Sequence, residues 1–432
     1  MGTAGFDTLK VRAGHNPAEH NGSVQVPIYQ TTSYDLGDTA RAGRLLAFEE
    51  LGYVYTRIGN PTVAALEQRV AALDGATGAV GVGSGMAAVS YALLNAAEGG
   101  GRILTTRNLY GGTTDAFTKI YPRFGIGVDY ARDVDDPDSF ARALRPDTKA
   151  IFVETITNPN SVVADVAALA EIAHGHGIPL IVDNTFATPY LQRPIEHGAD
   201  VVVYSVTKGL SGHGGVIAGL ILESGRFDWG NGKFPHFTEP AWTLRDSAQN
   251  PRSVLDITTE FPFTLRVRLN HLAYLGATLG PQDAYVALLG VETLSERVRK
   301  QVDSTVQLVR YLEGHEKVAW VKHPSATGSP SAELAKKYLP NGGGTVLSFG
   351  IHGGEEQVNA LIDSTTLFSY QANVGDARSL IINSNKTTHG ELRPEEQDLA
   401  GILPGTIRLS VGLEDPQDLI ADLDQAIGKA FG

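Results

Sequence analysis

The feature that most limits how this chain can fold begins near residue 62. From there to residue 223, short and almost wholly apolar segments alternate with segments of helical pattern. RILTTR, VDYAR, AIFVET, PLIVDN, ADVVVYSVT and VIAGLILE have the length and β-branched content of strands. AVGVGSGMAAVSYALLNAA reads as strand, glycine turn and helix. VAALEQRVAALDG and ADVAALAEIAHGHG show the Ala/Leu spacing of helices that stop on glycine. Strands without a polar face need cover on both sides, and helical crossovers supply it. The pattern therefore predicts an α/β fold, with a mostly parallel sheet covered by helices on both faces.

The chain has 432 residues, 42% of them hydrophobic, enough for two domains or a large α/β domain with extensions. Residues 66–280 are expected to form a large domain around the sheet. Long helical patterns from about 282 to 313, then the strand-like TVLSFGI and TIRLSVGLE, predict a smaller α+β domain over 281–432. Residues 1–65 differ, because NGSVQVPIYQTTSYDL and YVYTRIGNPT are irregular, polar and rich in tyrosine. That aromatic content favours an extended arm packed on another surface over a disordered tail. The net charge of 35 − 48 = −13, without a basic run, argues against nucleic acid and anionic membranes as partners. The absence of cysteine removes disulfides, thiolate metal sites and cysteine nucleophiles. MGTAGFDTLKVRAGH has no apolar core of signal-peptide length and no run approaches membrane-spanning length, so a cytoplasmic protein is expected. His174 and His176 end a helix, and no metal site is expected.

Ligands of an open parallel sheet sit beyond the carboxyl ends of its strands. Three pieces fall there. GVGSGMAA, residues 81–88, turns into a helix at Gly83–Met86, where free N–H groups and the helix dipole suit a phosphate. It is not G-x-G-x-x-G, and the next strand carries no acid for a ribose, so a single-phosphate cup fits better than a dinucleotide site. Asp183 ends PLIVD and is either a cap for the following turn or the partner of a cationic ring nitrogen. Lys208 lies in SVTKGLSGHGG, flanked by Ser205 and Thr207. It is either the lysine of a surface turn or a buried amine beside a ligand that the glycines allow to approach. Phosphate cup, strand-end aspartate and strand-end lysine together match the needs of pyridoxal phosphate: an amine to condense with the aldehyde and a carboxylate to keep the ring nitrogen protonated.

SVTKGLSGHGG resembles the lysine motif of the Cys/Met-metabolism family of pyridoxal-phosphate enzymes, and the likeness runs over nearly the whole chain. YVYTRIGNPT at 53–62, GRFDWGNGKFPHFTEP at 225–240 and SYQANVGDARSLI at 369–381 are similar to the sulfhydrylase branch, which acts on O-acetylhomoserine. The resemblance implies a fold-type-I transferase of the aspartate-aminotransferase kind. It also implies Lys208, Tyr110 and Tyr55 as catalytic residues, with Tyr110 of LYGGT stacked on the ring. Gly85, Met86, Ser205, Thr207 and Asp183 would hold the cofactor, and Tyr55 and Arg57 would reach the phosphate of a neighbouring subunit in a dimer of dimers. Asn158, Asn373 and Arg408 would meet the substrate, Arg408 gripping its carboxylate. The implied reaction is a γ-replacement giving homocysteine and acetate from O-acetylhomoserine and sulfide or a small thiol, within methionine biosynthesis. The alternatives are a cystathionine γ-synthase, a methionine or cystathionine γ-lyase, or a nucleotide-binding or catalytically dead scaffold that keeps the fold. One stretch departs from the family: Asn383–Lys386 reads NSNK where Pro-Ala-Ser is common before Thr387, Thr388 and His389. A different wall of the substrate pocket is expected there.

Overall fold

The computed structural model describes residues 4–132, 134–388, 390 and 393–432. Seven strands build the larger sheet: β1 (Gly78–Val82), β2 (Gly101–Thr105), β3 (Ile126–Tyr130), β4 (Thr148–Glu154), β5 (Leu180–Asp183), β6 (Val201–Ser205) and β7 (Gly219–Glu223). Their order is β1-β7-β6-β5-β4-β2-β3, parallel throughout except for β7, which runs antiparallel to both neighbours. The apolar runs are continuous because successive side chains enter two different cores. Leu180, Val182, Val202 and Tyr204 pack on one face, while Ile181, Val201 and Val203 pack on the other. The predicted helices form close to their expected bounds. Pro61–Asp74 starts from Asn60, whose side chain accepts the Thr62 N–H, and stops at Gly75 with φ of 77°.

A second sheet contains β8 (Val318–Lys322), β9 (Val346–Ile351), β10 (Ser369–Tyr370), β11 (Leu380–Asn383) and β12 (Ile407–Ser410), in the order β10-β11-β12-β9-β8. All its pairings are antiparallel except β10 with β11. The helices Leu294–Gly314, Glu355–Ser364 and Pro416–Phe431 bury their apolar faces against it. The first 60 residues hold two short helices, Phe6–Arg12 and Thr39–Leu46, and little other regular structure. The stretch 225–240 folds as part of a buried aromatic cluster, in which the Trp229 ring stacks on Phe237 at 4.6 Å and on Phe263 at 4.8 Å. Its indole N–H donates to Glu223. Among the described residues no helix is long and apolar enough to cross a membrane.

Candidate active site

After β1 the chain turns sharply. Gly83 N–H donates to the Ala277 carbonyl at 2.6 Å, and the Ser84 hydroxyl accepts the Ala87 N–H at the start of the helix Gly85–Ala96. Two close approaches require glycine here. A Cβ on Gly85 would come 2.5 Å from the Ser205 Cβ, and one on Gly219 would collide with the Ser84 carbonyl oxygen. Among the described residues no protein acceptor meets the N–H groups of Gly85 and Met86, which head a twelve-residue helix. They leave an anion site facing the ends of β5 and β6.

That site is one end of a cavity of about 260 Å³, whose lining includes Gly85, Met86, Tyr110, Asn158, Asp183, Ser205, Thr207, Lys208, Asn373 and Arg408. Burial raises the Asp183 carboxyl to about 6, although its Oδ1 accepts the Thr185 N–H at 2.9 Å. A cationic ring nitrogen beside it would restore the charge that burial disfavours. Lys208 Nζ donates to Asn373 Oδ1 at 2.5 Å. Burial, and then the charge of Arg408, lower the Lys208 amine to about 8, so near-neutral deprotonation comes within reach. The Thr207 hydroxyl accepts the Ala218 N–H, and Thr185 Oγ accepts the Ser205 N–H, which anchors the loop that carries Lys208.

Arg408 reaches the cavity from β12 and is 3% exposed. Its Nη1 donates to Asn158 Oδ1 at 3.0 Å and its Nη2 to the Asn373 carbonyl at 3.2 Å. Burial lowers it to about 10, and among the described residues no carboxylate pairs with it. A buried guanidinium held only by neutral oxygens is a site for an anionic group. Tyr110 begins the short helix Gly111–Asp115 and remains 44% exposed at the cavity.

Tyr55 and Arg57 lie elsewhere. Arg57 sits 5.4 Å over the Tyr55 ring and donates to the Ala273 carbonyl, and both residues border a separate surface hollow with Thr31, Thr32 and Pro281. Within one chain they do not reach Lys208. The unusual Asn383–Lys386 stretch does not line the cavity among the described residues; Thr388 does, and His389 lies outside the described residues. The wall expected from that stretch is therefore set back, with Lys386 paired to Glu355. Sequence reading missed Glu154 and Thr185, which line the cavity together with Ser84 of the expected Gly83–Met86 turn. Of these, only Glu154 carried a signal, an acid closing an apolar strand. His174 meets Asp200, 26 positions further along the chain, at 2.8 Å.

Residues 7–428 match the Cys/Met metabolism PLP-dependent enzyme family, and the chain belongs to it. It is 40% identical over 430 residues to the O-acetyl-L-homoserine sulfhydrylase of Leptospira meyeri, covering 98% of this chain and 96% of that protein. It is 42% identical to the homocysteine synthase of Schizosaccharomyces pombe, covering 98% of each. A Campylobacter jejuni crystal structure described as an O-acetylhomoserine (thiol)-lyase, carrying N'-pyridoxyl-lysine-5'-monophosphate, superposes with a TM-score of 0.93. It shares 36% identity over 98% of this chain and 100% of that one.

Proposed function

We propose that the chain is a cytoplasmic transferase that replaces the acyloxy group of an O-acetylated homoserine with sulfide, releasing acetate and homocysteine. The observation that carries this reading is Arg408, a buried cation without a carboxylate partner among the described residues, facing the same cavity as the Lys208 amine. It asks for a substrate that brings a carboxylate to one end and a reactive carbon to the other. The residues present fit pyridoxal phosphate. The free N–H groups of Gly85 and Met86, with Ser205 and Thr207, would hold its phosphate, Asp183 its ring nitrogen, Tyr110 its face and Lys208 its aldehyde. Bound there, the cofactor withdraws electron density from the carbon next to the substrate amine.

The protein's own groups then divide the work. Arg408 grips the substrate carboxylate bidentately while Asn158 and the Asn373 carbonyl hold the guanidinium in place. Lys208, displaced and neutral, takes the proton from Cα, gives that proton up, and as a free amine again takes one from Cβ, so that acetate leaves from Cγ. Hydrosulfide adds at Cγ, and the protons return to Cβ and Cα through the same amine. Asn373 Oδ1 gives Nζ a resting partner between these transfers. A second copy of the chain supplies Tyr55 and Arg57 to the phosphate end, since neither reaches the cavity of its own chain. The assembly is then a homo-oligomer, a pair of dimers.

The test is direct. Protein loaded with pyridoxal phosphate is given O-acetyl-, O-succinyl- or O-phosphohomoserine with sulfide, methanethiol or cysteine, and products are scored by mass. Homocysteine from the acetyl ester and sulfide supports the reading. Ketobutyrate and ammonia without any thiol would make it a γ-lyase, and product with cysteine but not sulfide a γ-synthase.

A further inference from the structure

Glu154 closes β4 directly across from Asp183 on β5. Its two oxygens are divided between two loops. Oε1 accepts the backbone N–H of Tyr110 at 2.6 Å, and Oε2 accepts that of Asn158 at 3.1 Å. The residue is buried and, among the described residues, has no cationic partner. Burial first, and the neighbouring Asp183 second, push its carboxyl well above the usual range, while the two N–H donors pull the other way. An acid here therefore carries a cost that an apolar residue would avoid. What a carboxylate offers in return is two acceptors and no donor. A glutamine would turn its amide N–H2 toward one of the two backbone donors.

Each of those donors belongs to a residue of the proposed reaction. Tyr110 borders the cavity, and the Asn158 side chain takes the Arg408 guanidinium at 3.0 Å. We propose that Glu154 is a positioning residue, whose single carboxyl fixes the Tyr110 loop relative to the Asn158–Arg408 pair and so aligns the substrate carboxylate with the Lys208 amine. The role rests on the γ-replacement reading but is separable from it.

The experiment is residue-resolved amide hydrogen exchange on the cofactor-loaded protein, paired with kinetics of Glu154→Gln and Glu154→Asp. In the wild-type protein the Tyr110 N–H is expected to exchange at least tenfold more slowly than those of Gly111 and Gly112, the first two donors of the short helix that follows. Glu154→Gln should abolish that protection, or that of Asn158, and raise KM for the acylated homoserine roughly tenfold, the scale of one buried donor left unpaired. The visible absorbance of bound cofactor should stay unchanged. Glu154→Asp keeps two acceptors and should lose less on both readouts. Unprotected Tyr110 and Asn158 amides in the wild-type protein would overturn the proposal even if neither variant folds. So would protection and KM unaffected by Glu154→Gln. Exchange needs no substrate, so its failure refutes the positioning role alone, whereas a wild-type protein that makes no homocysteine refutes the reading beneath it.

Discussion

Lys208 Nζ and Asn373 Oδ1 meet at 2.5 Å although 165 positions separate them in the chain. The contact joins the loop after β6 to the loop before β11, and therefore the two sheets. Its surroundings are tightly fitted. A Cβ on Gly375 would lie 2.6 Å from the Gly209 backbone nitrogen, and the buried Arg297 guanidinium donates to the carbonyls of Gly209 and Leu210. The amine is thus held half-buried and near the Arg408 charge, and both lower its proton affinity.

That setting predicts how the amine titrates. A lysine lowered to about 8 is cationic and unreactive toward aldehydes below that pH, and neutral above it. Condensation of cofactor-free protein with pyridoxal phosphate, followed by visible absorbance, should accelerate as pH rises through about 8. A midpoint near the ordinary lysine value would contradict the burial argument. Lys208→Ala should fold, develop no such band and lose γ-replacement, and turnover beyond a trace without added amine would remove Lys208 from the mechanism.

Asp183→Asn tests the other end of the ring. A neutral amide cannot hold a protonated nitrogen, so the variant should bind cofactor more weakly and turn over slowly, with little change in melting temperature. Near-normal rates would mean that Asp183 only caps the turn at Thr185, whose N–H it already accepts.

Arg408→Lys replaces a planar fork with a point charge. The expected loss is in kcat/KM, about 1–3 kcal/mol, the scale of a charge-assisted hydrogen bond. Cofactor absorbance should be unchanged. A variant that instead loses cofactor would assign Arg408 to the phosphate.

The arm makes a prediction about assembly. Arg57→Ala and Lys208→Ala subunits, each nearly inactive alone, should recover activity when co-assembled, because one site of each mixed dimer then holds both native residues. No recovery, with mixed dimers verified by mass, would place the arm and the lysine in the same subunit's site.

How much of this was legible in the chain depends on the range of the interactions. The parallel sheet was readable because each strand buries both faces, and burial on both faces leaves no polar period to see, as in VVVYS. Lys208, Asp183 and the Gly85 turn were readable because strand ends and helix starts are local events. β8 was not, since none of its residues is buried, and neither was β10, which is two residues long. Glu154 looked like the end of a strand, and only tertiary packing made it the shared acceptor of Tyr110 and Asn158. His174 met its partner Asp200, 26 positions on, only when the entry to β6 was folded alongside. Local periodicity determined which surfaces of each segment must be buried. Which buried polar group meets which, across the 165 residues from Lys208 to Asn373 or the 250 from Asn158 to Arg408, was decided only when the two sheets came together, because a hydrogen bond depends on position in space and leaves no period in the sequence.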